Sequence, residues 1–236
     1  MTVLLLNSGT GTRMGNLTEN IPKCMVEISA GETLLSRQLK QIVKKNIKNI
    51  VITTGNFDLK IQNYCKTLNL PLNYKFVLNP KYATTNYIYS IFLAHEYLKD
   101  NIILMHGDLV FENAVLDLVY SHNTSCMVVS TDNPLPDKDF KAVIETDKIT
   151  KIGIEYFNNA VAAQPLYKFN HDDFILWLDK ITLYCKNGST DCYAETALNE
   201  ILNIITLYPL DIKEMFCSEI DTPEDLKNVT SFLGNL

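Results

Sequence analysis

LLLNSGTGTRMGNLTENIPK, residues 4–23, decides how the rest of this 236-residue chain is read. Val3 to Leu6 suit a strand buried on both faces. A loop with Gly9, Gly11 and Gly15 follows, and Lys23 stands directly behind Pro22. Glycine has no Cβ, so the loop's backbone N–H groups can come close to a ligand, and successive exposed N–H groups cradle anions. Arg13 and Lys23 add fixed positive charge on either side of the loop. The spacing G-x-G-x-x-x-G is neither a P-loop, which ends in Gly-Lys-Ser/Thr, nor the dinucleotide fingerprint G-x-G-x-x-G. Glycines after a strand also fit an ordinary turn in an α/β domain, so the loop alone names no ligand.

Downstream, strand and helix patterns alternate. A helix is expected over 33–45 with Thr33 as its N-cap, a strand over 49–54 ending at Gly55, a helix over 58–68, and a strand over 74–78. A long helix over 85–98 and a strand over 102–105 ending in His106-Gly107-Asp108 complete the first half. Such alternation predicts an α/β, Rossmann-like doubly wound, mainly parallel sheet, with ligands beyond the carboxyl ends of its strands. Gly9, Gly55 and Asp108 should then meet on one rim. The second half is expected to bring a helix over 112–120, strands over 126–130 and 162–169, and a hairpin of 141–145 with 149–154. Helices over 172–181 and within 190–202, short strands over 206–209 and 215–219, and a last helix capped by Thr222 follow. With no repeat, low-complexity tract or Pro/Gly linker, residues 1–236 read as one domain. About 1–110 form one half, and about 111–236 a second lobe grown onto the same sheet.

The composition, 47% hydrophobic and 20% charged, is that of an ordinary globular protein. A net charge of −6 argues against a nucleic-acid sheath. An acidic protein that binds a polyanion must concentrate its positive charge or recruit metal. No apolar run approaches a membrane span, and Met1 leads straight into the first strand without a signal-peptide pattern, so a cytoplasmic protein is expected. Six cysteines and four histidines form no C-x-x-C or zinc spacing and read as free thiols and scattered imidazoles. Asp108, at a strand end, is a good hard-cation ligand or, equally, a turn or helix-capping aspartate. Asp221, in SEIDTPEDL, has a ready reading as the turn that starts the last helix. No Ser/His/Asp or Cys/His arrangement is evident, and His106 reads as a structural or supporting histidine.

The full string, strand then G-x-G-x-R-[M/L] then P-K, resembles the signature of the nucleotidyltransferase superfamily, although Asn7 and Ser8 stand where two alanines are common. The resemblance implies a nucleotide site built from Leu6, Asn7, Ser8, Gly9, Thr10, Gly11, Thr12, Arg13 and Lys23, with Gly55, Thr85 and Asn86 near the base. It also implies a magnesium site, Mg2+ between Asp108 and Asp221, the latter in the family's E-I-D-T string. Lys23 would lie by the α-phosphate and Arg13 by the β- and γ-phosphates. An acceptor phosphate is already ionised, so no general base is needed. NPKYATTNYIYSIFLA (79–94), PKCMVEI (22–28) and EIDTPEDL (219–226) are similar to the branch of LicC-like phosphocholine and phosphonate cytidylyltransferases. This points to CTP and a small phosphorylated or phosphonate acceptor such as phosphocholine or 2-aminoethylphosphonate. Tyr87, Tyr89, Tyr167, Tyr184 and Tyr193 offer aromatic faces for a cationic amine, and Asp191 and Glu195 carboxylates to pair with it. The tyrosines suit a core as well, and Asp191 suits a helix cap. A sugar-1-phosphate nucleotidylyltransferase using another triphosphate, or an inactive nucleotide-sensing module, are the competing expectations. A homodimer is left open.

Overall fold

The computed structural model describes residues 1–234. In chain order the first half runs β1 (Thr2–Asn7), β2 (Glu27–Ser29), β3 (Glu32–Thr33), α1 (Leu34–Lys44), β4 (Asn49–Thr54), α2 (Asp58–Thr67), β5 (Asn73–Leu78), α3 (Tyr87–Ala94) and β6 (Ile102–His106). The second half runs β7 (Leu109–Phe111), α4 (Asn113–Ser121), β8 (Cys126–Ser130), β9 (Lys141–Glu145), β10 (Lys148–Gly153), β11 (Ala160–Phe169), α5 (His171–Lys186), α6 (Ala194–Asn199), β12 (Tyr208–Asp211), β13 (Cys217–Glu219) and α7 (Pro223–Leu233).

The main sheet is ordered β10-β9-β11-β6-β1-β4-β5, and β8 pairs with both β11 and β12. β6, β1, β4 and β5 are mutually parallel. From β1 the chain steps outward to β4 and β5, then returns to β6 on the other side of β1. The connections therefore diverge at the carboxyl ends of β1 and β6, where open α/β sheets form their ligand crevice. β11 joins antiparallel to β6, so the second half extends the same sheet.

Successive residues of β1 serve opposite faces. Leu4 and Leu6 pack into a core with Ile88 and Ile91 of α3 and Trp177 of α5. Val3 and Leu5 pack with Leu35, Leu39 and Ile42 of α1, Ile61 of α2 and Val115 of α4. Helices thus cover both faces, and the apolar run of β1 needs no alternation. A third cluster ties Met14, Ile28 and Leu34 to Val110, Ile220 and Val229 of α7.

Several boundaries differ from expectation. The helix expected from residue 85 starts at Tyr87, because extended Asn86 caps it by accepting the Tyr87 N–H at 2.7 Å. It ends at Ala94, followed by a 3-10 turn, His95–Tyr97. Extended Tyr193 confines the helix expected within 190–202 to Ala194–Asn199. The two-residue β3 and the three-residue β2 and β7 are too short to show a period in sequence. The segment after the glycine loop winds into 3-10 turns, Thr12–Thr18.

Candidate active site

Two strand ends build the site. Asp108 follows β6, and Asp221 follows β13. β13 pairs antiparallel with β7, with Glu219 opposite Leu109, and the Ile220 N–H donates to the Asp108 carbonyl at 3.0 Å. That short ladder joins residues more than a hundred positions apart. Buried Gln38 of α1 fixes the turn from behind. Its amide nitrogen donates to the carbonyls of His106 at 2.9 Å and Leu109 at 2.8 Å.

Lys23 lies between the two aspartates. Its Nζ donates to Asp108 Oδ2 at 2.7 Å and Asp221 Oδ1 at 2.5 Å. Arg13 Nη2 reaches the same Asp221 oxygen at 2.9 Å. Gly11, with φ +67°, sets the turn before Arg13, and the Thr18 hydroxyl donates to its carbonyl at 2.8 Å. Burial alone would lower the Lys23 pKa, but the Asp108 and Asp221 carboxylates hold it above its ordinary value. Asp108 is held below its ordinary value: burial opposes ionisation, and the Lys23 and His106 charges outweigh it. Asp108 Oδ1 is buried and has no partner among the described residues, so one hard oxygen donor is free for a cation.

Side chains two residues apart near each strand end add a second pair. His106 Nδ1 lies 3.3 Å from Glu219 Oε1. With Asp108, they offer ligand atoms within 4.8 Å of one another. Burial and the Asp108 charge push Glu219 up to about 7. Burial lowers His106, and Glu219 more than restores it.

Three cavities converge on Asp108. One of 260 Å3 is lined by Leu6, Asn7, Gly9 to Arg13, Lys23 and Asp221. A second, of 290 Å3, is lined by Leu6, Ser8, Gly9, Thr10, Tyr82, Thr85, Asn86, Tyr87 and His106. The third, of 320 Å3, lies on the other side of His106, between Arg13, Asn86, Tyr87, Asp139, Phe140, Tyr193, Glu219 and Asp221.

The structure thus brings Leu6 to Arg13, Lys23, Thr85, Asn86, Tyr87, Asp108, Tyr193 and Asp221 to one continuous cleft. Other candidates lie elsewhere. Gly55 lies outside the three cavities; a Cβ there would stand 2.5 Å from the Ser8 carbonyl and 3.0 Å from Tyr82, so this glycine serves backbone packing. Tyr167 is fully buried and donates to Glu195 Oε1 at 2.8 Å. Glu195, 1% exposed, also accepts from the Tyr87 hydroxyl and so braces the cleft wall from behind. Tyr89 packs on Phe92 outside the cleft, and Tyr184 bonds Glu200 in a neighbouring cavity. Asp191 is exposed, lines none of these cavities and caps no helix, since Tyr193 stands at the N-cap of α6. The Thr85 hydroxyl is engaged by the Lys81 carbonyl at 2.9 Å and the Asn79 amide at 3.0 Å.

Sequence reasoning missed Glu219, Gln38, Tyr82, Asp139 and Phe140. The signal for Glu219 was present: two residues before Asp221, at a strand end, it falls on the same side.

The nucleotidyl transferase family model matches residues 2–139, more than half of the chain. The chain belongs to the nucleotidyl transferase family. This nucleotidyltransferase is 24% identical over 247 residues to a choline-phosphate cytidylyltransferase of Streptococcus pneumoniae, covering 100% of this chain and 99% of that one. It is 25% identical over 259 residues to a CTP:phosphoglutamine cytidylyltransferase of Campylobacter jejuni, covering 96% and 98%. Among solved structures, the inositol-1-phosphate CTP transferase from T. maritima superposes with a TM-score of 0.79 at 20% identity, covering 98% of this chain and 94% of that one. The CTP:phosphocholine cytidylyltransferase from Streptococcus pneumoniae gives 0.78 at 20% identity, with 98% of each covered. These likenesses establish the shared fold. Among the described residues, no helix is long and apolar enough to cross a membrane.

Proposed function

We propose that this nucleotidyltransferase is a cytidylyltransferase that joins CMP from CTP to a small phosphorylated or phosphonate acceptor carrying a cationic amine. The observation that carries the reading is the Lys23–Asp108–Asp221 cluster, with Arg13 beside it, in a cleft whose three cavities all reach Asp108. An acceptor oxygen attacks the α-phosphorus, the bond from that phosphorus to the bridging oxygen breaks, and pyrophosphate leaves with the electron pair. Both reactants are anionic, so catalysis is mainly positioning and charge neutralisation.

Lys23 would swing from the carboxylates to the α-phosphate, and Arg13 would neutralise the departing pyrophosphate. The backbone of Gly9 to Thr12 lines the 260 Å3 cavity, where the triphosphate would lie. Asp108 and Asp221 are the residues that would hold Mg2+, and the buried free oxygen of Asp108 fits a hard cation. When bound, magnesium supplies Lewis-acid neutralisation of the phosphate oxygens. The cavity of Tyr82, Thr85 and Asn86 suits a nucleoside. Asn86 uses its Oδ1 on its own helix, so its amide nitrogen is what it can offer to the O2 and N3 acceptors of cytosine. Tyr87, Tyr193 and Phe140, with Glu219 and Asp139, make the 320 Å3 cavity aromatic and acidic, which suits an ammonium group.

The test is pyrophosphate release with magnesium, crossing the four nucleoside triphosphates with phosphocholine, 2-aminoethylphosphonate, phosphoethanolamine and glucose-1-phosphate. Release with CTP and an aminoalkyl acceptor is expected. Release with only glucose-1-phosphate would overturn the acceptor assignment, and release with a triphosphate other than CTP would overturn the nucleotide assignment.

A further inference from the structure

Lys141, the first residue of β9, is fully buried. No carboxylate lies within ion-pair distance of it among the described residues. A buried ammonium without counter-charge is costly, so its surroundings must compensate. Here a loop compensates. Lys141 Nζ donates to the carbonyl of Pro136 at 2.5 Å and of Asp139 at 3.0 Å, and lies 4.3 Å from the centre of the Phe157 ring. The far end of the same loop is tied where the Asn133 N–H donates to Ser130 Oγ at 3.1 Å and the Thr131 hydroxyl to Asp211 at 2.8 Å. The near end is tied where the Phe140 carbonyl accepts the Ala163 N–H at 3.0 Å.

What this loop presents is part of the site. Lys138, Asp139 and Phe140 line the 320 Å3 cavity opposite Tyr87 and Glu219. Phe140 meets Tyr193 edge-on, with centroids 5.2 Å apart. Burial, with Asp221 and Asp225, makes the half-buried Asp139 carboxylate harder to ionise, Arg13 and Lys141 offset this in part, and a cationic ligand would favour its charged form.

We propose that residues 136–140 are an acceptor-selecting strap, that Lys141 is the positioning residue that pins it, and that Asp139 supplies the charge that favours a cationic head group. The inference rests on the cytidylyltransferase reading and adds to it the element that sets acceptor choice. A pinned strap holds Asp139 and Phe140 in place before the acceptor arrives, which lowers the ordering cost of binding.

The test uses the full chain as wild type, Lys141→Met, Lys141→Arg and Asp139→Asn, with CTP and either phosphocholine or 3,3-dimethylbutyl phosphate, its isostere without the cationic charge. Lys141→Met should raise the phosphocholine KM by about tenfold or more while leaving the CTP KM within about twofold, which a general loss of structure would not do. Lys141→Arg, which keeps the charge and can donate to both carbonyls, should recover part of the loss. Asp139→Asn should shrink the preference for phosphocholine over the isostere. An unchanged phosphocholine KM in Lys141→Met, an equal rise in both KM values, or an unchanged preference in Asp139→Asn overturns the proposal. Trypsin cleavage after Lys138 is read in parallel and should be faster in Lys141→Met than in wild type; equal rates also overturn it. If wild type with CTP turns over neither of these nor 2-aminoethylphosphonate or phosphoethanolamine, the cytidylyltransferase reading fails, and the cleavage comparison still decides whether Lys141 holds the strap.

Discussion

Gly107→Ala tests whether the site depends on how closely β1 and β6 approach at their ends. The Gly107 N–H donates to the Leu6 carbonyl at 2.9 Å, continuing the parallel ladder past β6. A Cβ at this position would stand 1.7 Å from Asn7 Oδ1, 2.4 Å from Asn7 Cγ and 2.8 Å from the Leu6 carbonyl oxygen. Real Cβ contacts do not fall below 3.0 Å, so the Asn7 carboxamide must retreat by at least 1.3 Å. It has little room, because Asn7 Nδ2 is itself buried. The Leu6 carbonyl is fixed in the sheet and cannot turn away. The strain therefore falls on the Gly107-Asp108 turn. Overpacking of this kind costs about 1–3 kcal/mol. At roughly 2–4 °C per kcal/mol for a chain of this size, the melting midpoint should fall by several degrees. A displacement of Asp108 near 1 Å should lower kcat by about a hundredfold. Urea unfolding and pyrophosphate release measure the two effects on one preparation. Wild-type stability together with a wild-type kcat would show that the turn yields freely and that the geometry argument is wrong.

Gly9→Ala should behave in the opposite way: a Cβ there meets nothing within 4 Å, so stability should hold while the CTP KM rises, and an unchanged KM would remove Gly9 from the phosphate path. Gln38→Leu strips the carbonyls of His106 and Leu109 of a buried donor and should cost about 1–3 kcal/mol in urea unfolding together with a fall in kcat; a loss of stability alone would make Gln38 a core residue with no hold on Asp108. Glu219→Gln tests the raised carboxyl. Glu219 titrates from 4.5 when unfolded to about 7 when folded, so the folded chain binds more protons between those values, and wild-type stability should fall as pH rises through that window. The stability of Glu219→Gln relative to wild type should grow from pH 5 to pH 8, and a difference that stays flat with pH would contradict the buried environment.

What was legible in the sequence follows from range. Arg13, Lys23 and Asp108 sit in stretches where strand, turn and charge are adjacent in the chain, and local chemistry sufficed to bring them together. Asp221 needed the resemblance, because its local pattern fits a helix start equally well; the structure shows that helix start, with Thr222 capping α7, and puts Asp221 in contact with Lys23. Tyr167 and Glu195 read in sequence as an aromatic face and a carboxylate for a cationic amine, and nothing local says that they satisfy each other at 2.8 Å. Asp139 and Phe140 lie in an irregular segment with no period. Their place over the cleft depends on the pairing of β9 with β11, whose register links residues about twenty positions apart.

The charge balance of the cleft argues for order in its use. The three cavities that meet at Asp108 are lined by four carboxylates, Asp108, Asp139, Glu219 and Asp221, against three fixed cations, Arg13, Lys23 and Lys138. Arg13 and Lys23 are both committed to Asp221, and Lys23 to Asp108 as well. Such a surface repels a bare triphosphate, as the chain's net charge of −6 also does at longer range. On the proposed reading, an incoming nucleotide competes with carboxylates for Lys23 and Arg13, and leaves two aspartates unpaired unless a divalent cation takes their place. Triphosphate and metal should therefore bind with positive coupling, each tightening the other's hold by the same factor. The remaining acids, Asp139 and Glu219, line the 320 Å3 cavity, where Arg13 and Lys138 are the fixed cations of the lining among the described residues. On the proposed reading, that residue of negative charge is what a cationic acceptor would neutralise, so the same imbalance that disfavours a bare nucleotide would favour the second substrate.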